Sequence, residues 1–259
     1  MSASTRRNTW VRIQPANPSA QLRLFCFPYA GGSAASFHGW KRGLPEWVEV
    51  YPVHLPGRGA RALESPYTEL LPLAEAAAAA LTPHLDRPYA LFGHSMGALI
   101  AFEVARRMRR AGAPRPVHLF ASACRAPQLN ELRGHTYDMP HGELIRALRR
   151  LNGTPQTILD SEEMMEFFVP LIRADLQLVQ TYVCPPGPPL SCPLSVFGGL
   201  QDSEETPERL APWREQTDAD FELLMFEGDH FFLHTQAPLL LESIGRRLAR
   251  AVAAEQTMP

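Results

Sequence analysis

Gly93-His94-Ser95-Met96-Gly97 places a serine between two glycines. A hydroxyl is a weak nucleophile at neutral pH. It needs a base within hydrogen-bond reach, and the base needs an acid to fix its tautomer. The apolar run Tyr89 to Phe92 precedes the motif and Ala98 to Arg110 reads as a helix after it. Ser95 therefore falls on a sharp strand-to-helix turn, where glycines relieve crowding and the hydroxyl projects above a sheet. Without that setting the pattern would be a chance match in a glycine turn.

Where a serine stands on such a turn, an acid and then a histidine follow it along the chain. Asp202 ends Phe197-Gly198-Gly199-Leu200-Gln201-Asp202, in the loop after a strand, and His230 ends Phe226-Glu227-Gly228-Asp229-His230, after the next strand. Both lie at the sheet edge that carries Ser95. Asp202 competes with Glu204, Glu205 and Asp229. The two glutamates read as the start of a following helix, where negative charge suits the dipole. Asp229 adjoins His230 too closely for a good side-chain hydrogen bond. His94 reads as structural, because adjacent side chains in the turn diverge. His38, His54, His84, His118, His135 and His141 precede the acid. His230 and His234 lack the glutamate and third ligand that a metal pair would need.

Acyl transfer also requires donors for an oxyanion. One is the backbone N–H of Met96, next after the nucleophile. The other belongs to the loop Pro28-Tyr29-Ala30-Gly31-Gly32, with Ala30 the best candidate and the glycines letting backbone approach a substrate. A plain glycine turn is the alternative reading of that loop.

These groups must be held by a sheet. Strands are expected at Trp10–Gln14, Leu22–Phe27, Val48–Val53, Tyr89–Phe92, Val117–Ser122, Leu194–Phe197 and Phe221–Phe226. Helices are expected at 69–82, 98–110, 207–215 and 238–253, the first from its alanines and the second from an apolar face opposite arginines. Alternation of strand and helix implies a mostly parallel central sheet flanked by helices, the α/β-hydrolase fold. From 127 to 189 the pattern changes to helices near 141–151, 161–170 and 171–182, too long a block for a simple crossover. We read 1–126 with 190–259 as the core, and 127–189 as an inserted helical lid that returns through Cys184-Pro185-Pro186-Gly187-Pro188-Pro189.

The 259 residues suffice for one sizeable core. A net charge of −2 gives no electrostatic case for nucleic acid or an anionic membrane. Arg106, Arg107, Arg109 and Arg110, like Arg149 and Arg150, read as solvated helix faces, with contact to an anionic partner the alternative for one of the two clusters. The N-terminus has no apolar core that would make it a signal peptide, and no run approaches a membrane span. Cys26, Cys124, Cys184 and Cys192 form no CxxC pair, so zinc and redox chemistry are not expected. Cys184 and Cys192 flank the proline turn and are expected to stay reduced. A cytoplasmic monomer is the expectation.

Taken together, the motifs resemble the type II thioesterases, the stand-alone editing enzymes of polyketide and non-ribosomal peptide synthesis. The resemblance runs from about residue 20 to about 245. It is carried by Phe27-Pro28-Tyr29-Ala30-Gly31-Gly32-Ser33-Ala34, Leu55-Pro56-Gly57-Arg58, Gly93-His94-Ser95-Met96-Gly97-Ala98, Leu171-Ile172-Arg173-Ala174-Asp175, Gly198-Gly199 with Asp202, and Gly228-Asp229-His230-Phe231-Phe232. Tyr29 stands where many members carry histidine, and Asp229 where many carry glycine. The resemblance implies hydrolysis of acyl thioesters from the phosphopantetheine arm of acyl or peptidyl carrier proteins. It implies catalysis by Ser95, His230 and Asp202 without metal or organic cofactor, and substrate contacts from Tyr29, Gly31 and Phe231. Met164, Met165, Phe167 and Phe168 would line the acyl pocket or pack lid against core. A lipase or carboxylesterase shares the triad; Ala30-Gly31-Gly32 in place of an H-G-G-G run leans away from it. A non-catalytic binding protein has no need of serine, acid and base together.

Overall fold

Five short runs of this chain bury side chains on both of their faces, as strands covered by helices on either side must, and a sixth, half-buried run closes the sheet at one edge. The computed structural model describes residues 9–11, 17–130, 136–151 and 160–256. The strands are β1 (Leu22–Phe27), β2 (Val48–Pro52), β3 (Tyr89–His94), β4 (His118–Ser122), β5 (Leu194–Gly199) and β6 (Phe221–Phe226). They form one sheet in the order β2-β1-β3-β4-β5-β6, and all five pairings are parallel. Period-two alternation is visible in β1. Phe25 and Phe27 join one core, whereas Leu22, Leu24 and Cys26 join the other.

Helices α1 (Leu70–Leu81) and α2 (Met96–Arg110) cover the first face through Leu73, Ala77, Leu99, Phe102 and Met108. Between β4 and β5 come α3 (His141–Leu151) and α4 (Glu162–Gln180), and after β6 comes α5 (Ala237–Gln256). Leu240, Leu241, Ile244 and Leu248 of α5 cover the second face with Phe37 and Trp40. From β1 the chain steps outward to β2, then crosses back to β3. Strand order thus reverses between β1 and β3, and the crevice beyond their carboxyl ends is where open α/β sheets bind ligands. Ser95 and the Tyr29–Gly32 loop flank that crevice.

Several expectations change. The expected first strand reduces to Val11, bridged antiparallel to Val53; 12–14 lie outside the described residues. The expected helices 161–170 and 171–182 are one helix, α4, with Pro170 inside it. Proline removes a hydrogen bond and costs about 3 kcal/mol in a helix interior. Pro170 points to solvent, while Met165, Val169, Ile172 and Asp175 continue one buried face past it. That burial holds the two halves together. The expected helix 207–215 is a single α turn, Pro207–Leu210, continued by a 3₁₀ stretch to Gln216.

The arginine cluster of α2 is not a solvated face throughout. Arg106 is buried against Glu103 at 2.6 Å, and its second nitrogen donates to the Pro185 carbonyl at 2.7 Å. Arg109 donates to the Pro188 and Pro189 carbonyls, so α2 clamps the proline return. All four cysteines are free thiols. No helix among the described residues is long and apolar enough to cross a membrane.

Candidate active site

The two glycines around Ser95 are required by contact. A Cβ on Gly93 would lie 2.0 Å from the Gly97 carbonyl oxygen, and one on Gly97 would lie 2.1 Å from that of Phe27. The turn therefore packs backbone on backbone, which draws the start of α2 against the end of β1. Ser95 itself has φ 54° and ψ −117°, a strained conformation for a residue with a side chain. Its N–H donates to the Ser122 carbonyl at 2.7 Å, tying the turn to the end of β4. The Ser95 side chain makes no capping bond to α2 and is partly exposed. Met96 opens α2, so its N–H is in the first turn, where no carbonyl within the helix can accept it.

At the far end of the same edge, His230 Nδ1 lies 2.7 Å from Asp202 Oδ2. The other oxygen, Oδ1, accepts the N–H groups of Glu204 at 2.9 Å and Glu205 at 3.1 Å. Burial opposes charge on Asp202, but the bonds from His230 and from the two amides outweigh it and hold the carboxyl below its ordinary pKa. A carboxylate at this position accepts a proton-bearing Nδ1, which leaves His230 Nε2 with its lone pair. Gly199 makes the approach possible: a Cβ there would lie 2.4 Å from the Asp229 carbonyl oxygen. Asp229 Oδ1 instead accepts the Phe231 N–H at 2.8 Å.

Glu205 does not begin a helix. It is buried and takes both the backbone N–H and the guanidinium of Arg125, and burial raises its pKa in spite of that partner. Glu204 also precedes the helical turn, whose N-cap position is Thr206. Asp202-Ser203-Glu204-Glu205 carries the signal of an Asx turn, in which an aspartate bonds backbone two residues on.

His94 is fully buried, with Nε2 2.9 Å from the His230 carbonyl and Nδ1 2.9 Å from Ser122 Oγ. A carbonyl only accepts, so Nε2 carries the hydrogen and the Ser122 hydroxyl donates to Nδ1. Burial, reinforced by His230 beside it, pushes the His94 pKa well below 6.5 and keeps the ring neutral. The side chain next to Ser95 thus braces the loop of the base. Ser122 was not singled out by the sequence, because only the strand order brings β4 beside β3.

In the Tyr29–Gly32 loop, the Gly31 N–H donates to Asp175 Oδ2 at 2.8 Å and the Gly32 N–H to the Tyr29 carbonyl at 2.9 Å. Among the described residues, the Ala30 N–H has no such acceptor. Tyr29 and Phe231 meet edge to face at 5.1 Å, and Tyr29 Oη lies 3.0 Å from His234 Nε2. His234 thus partners Tyr29 and sits in its own short turn, Phe232–Thr235, ahead of α5. Gly31 lies under Ile172 of α4. Met165 is buried between α3 and α4, while Met164 and Phe167 face solvent. Among the described residues, no group of three or more His, Cys, Asp or Glu side chains could hold a metal ion.

The model of the thioesterase domain family matches residues 22–248. The gramicidin S biosynthesis protein GrsT of Aneurinibacillus migulanus is 40% identical over 253 residues, 98% of this chain and 99% of the relative. Among solved structures, the RedJ thioesterase of the prodiginine pathway of Streptomyces coelicolor is 41% identical with a TM-score of 0.86, covering 94% of this chain and all of that one. The type II thioesterase BorB of the borrelidin cluster is 38% identical with a TM-score of 0.84, covering 92% and 97%.

Proposed function

This chain belongs to the thioesterase domain family and is a thioester hydrolase, and from that premise we propose that it releases acyl groups from the phosphopantetheine arms of synthase carrier domains. Ser95, His230 and Asp202 are its triad in this reading. The observation that carries it is the 2.7 Å bond between Asp202 and His230 at the sheet edge from which the Ser95 turn rises.

In the proposed reaction the lone pair of His230 Nε2 takes the Ser95 proton as the serine oxygen attacks the thioester carbonyl. Asp202 holds the ring and balances the imidazolium that forms. The Ala30 and Met96 N–H groups receive the oxyanion. Collapse expels the pantetheine thiol, protonated by His230. Water deprotonated by the same ring then cleaves the acyl-enzyme and frees the acid. No cofactor enters these steps. Support for the donor assignment comes from the loop itself, where the amides of Gly31 and Gly32 are already engaged. The segment 127–189 acts as lid over the core formed by 1–126 and 190–259, and Tyr29 with Phe231 forms the mouth of the site.

Purified enzyme is offered acetyl-, propionyl-, longer acyl- and aminoacyl-carrier proteins beside the matching oxygen esters. Preferential release from the carriers is expected, with loss of turnover and of fluorophosphonate labelling in Ser95→Ala. A strong preference for oxygen esters would move the assignment to an esterase, and retained labelling would remove Ser95 from the nucleophile role.

A further inference from the structure

Asp175 lies on α4, inside the insertion, yet it is buried against the core with 1% of its side chain exposed. Arg58 faces it in a two-point pair, Nη1 to Oδ2 and Nη2 to Oδ1, each 2.7 Å. Oδ2 also accepts the Gly31 N–H at 2.8 Å. Arg58 donates in addition to the carbonyls of Gly32 and Pro56 at 3.3 Å. One ion pair therefore grips the Tyr29–Gly32 turn on both sides, by an amide at Gly31 and a carbonyl at Gly32. Ile172, one turn earlier on α4, rests on Gly31 as well.

Burying two charges is costly, and apolar side chains of similar size often serve stability as well or better. What apolar side chains would not supply here is an acceptor for the Gly31 amide and a donor for the Gly32 carbonyl. We propose that Asp175 and Arg58 are positioning residues of the oxyanion site, fixing the turn that presents the Ala30 N–H and making catalytic competence depend on the seating of α4. The inference rests on the proposed role of Ala30.

The pairing has an electrostatic consequence. A lone carboxylate one peptide away from a developing oxyanion would oppose its charge, and the Arg58 guanidinium cancels that field. Removing Arg58 alone should therefore harm the transition state more than removing the charge on Asp175. Removing both charges should restore part of the loss.

The test compares wild type, Asp175→Asn, Arg58→Gln and the double variant, each checked for folding by thermal melting. Three quantities are measured: kcat on an acyl-pantetheine thioester, affinity for an acyl trifluoromethyl ketone, and affinity for a thioether analogue. The ketone adds to serine and generates an oxyanion; the thioether binds without reacting. We expect Asp175→Asn to lose about 10-fold and Arg58→Gln about 100-fold in kcat and ketone affinity, with the double variant between them and thioether affinity unchanged. If Arg58→Gln does not fold, Asp175→Asn against wild type still decides by the ratio of the two affinities. Unchanged ketone affinity in folded Asp175→Asn, or equal losses of ketone and thioether, would overturn the proposal. Failure of wild type to form a Ser95-dependent ketone adduct would instead count against the site reading.

Discussion

His94 offers the sharpest separation of a brace from a space-filler. Its ring fills a fully buried site against Tyr29, His230 and Phe232, and it makes two hydrogen bonds with opposite roles. His94→Ala would leave the His230 carbonyl and the Ser122 hydroxyl unpaired, at about 1–3 kcal/mol each. The vacated ring space adds roughly 1–3 kcal/mol. The sum, about 3–9 kcal/mol, rivals a total stability of ~5–15 kcal/mol, so this variant mostly reports unfolding. Two amides separate the roles. In His94→Gln the side-chain nitrogen reaches the place of Nε2 and keeps the donor to the His230 carbonyl. In His94→Asn the side-chain oxygen reaches the place of Nδ1 and keeps the acceptor for Ser122. If His94 works by holding the His230 loop, Gln should retain kcat within ~5-fold and Asn should lose about 100-fold, the usual result of displacing a catalytic group by an ångström. Thiol release gives kcat and thermal melting gives stability. Equal losses of kcat in both variants, or retained activity in Asn alone, would refute the brace.

Asp202→Asn should lower kcat by roughly 10⁴-fold, because Asn cannot hold the Nδ1–H tautomer, whereas Asp229→Asn keeps an acceptor for the Phe231 amide and stays near wild type; the reverse ranking would move the acid to Asp229. Burial, with Arg247 nearby, pushes the His118 pKa down to about 3, so folded His118 stays neutral while the unfolded chain gains a proton below about pH 6.5. Stability is thus complete above pH 6.5 and falls as pH drops below it. His118→Gln, whose amide keeps a hydrogen-bonding group toward Ser195, should remove about 2 kcal/mol of the loss between pH 7.5 and 5.0 in urea unfolding; equal losses would show that His118 is protonated in the fold. Gly97→Ala drives a methyl to 2.1 Å from the Phe27 oxygen and should cost more than about 3 kcal/mol. Gly142→Ala, in the first turn of α3 and 3.6 Å from the Arg146 guanidinium, should gain about 0.5–1 kcal/mol. Chemical denaturation of both variants checks that contrast.

The sheet was legible wherever a short apolar run ended in turn residues. The bounds of β1 and β6 coincide with those read from the sequence. That Asp202 and His230 stand side by side at one sheet edge was legible for the same reason, since each follows a strand end by a few residues. What escaped was whatever depends on partners distant in the chain. Arg106 looks solvated from its neighbours, but a proline segment about eighty positions later covers it. Glu205 looks like a helix cap until Arg125 is seen beside it. Pro170 suggested a break because proline chemistry is local, whereas the face that carries α4 past it is tertiary. Asp175 and Arg58 were visible only as members of family-like motifs, and 117 positions separate them.

The two ends of the insertion are tied to each other, and its exit is tied to α2, which carries the Ser95 turn; this limits which part of it can move. At the entrance, Asn130 donates to the carbonyls of Val179 and Tyr182 at 2.8 Å. At the exit, Tyr182 donates to Glu103 of α2 at 2.8 Å, beside the Arg106 clamp on the proline return. The second half of α4 is pinned through Asp175 to the Tyr29–Gly32 turn. By contrast, α3 and the first half of α4 share a small buried cluster, Leu144, Leu148, Met165 and Val169, which Ile172 of the second half joins. Opening therefore has to begin in α3 and the Ser161–Val169 stretch, where little apolar area is lost. Amides of α3 should exchange hydrogen at least ~100-fold faster than those of α2, with the Leu171–Gln180 part of α4 closer to α2. Protection in α3 equal to that of α2 would mean that the insertion moves only as one body with the core. Access to Ser95 would then depend on the Tyr29–Phe231 mouth alone.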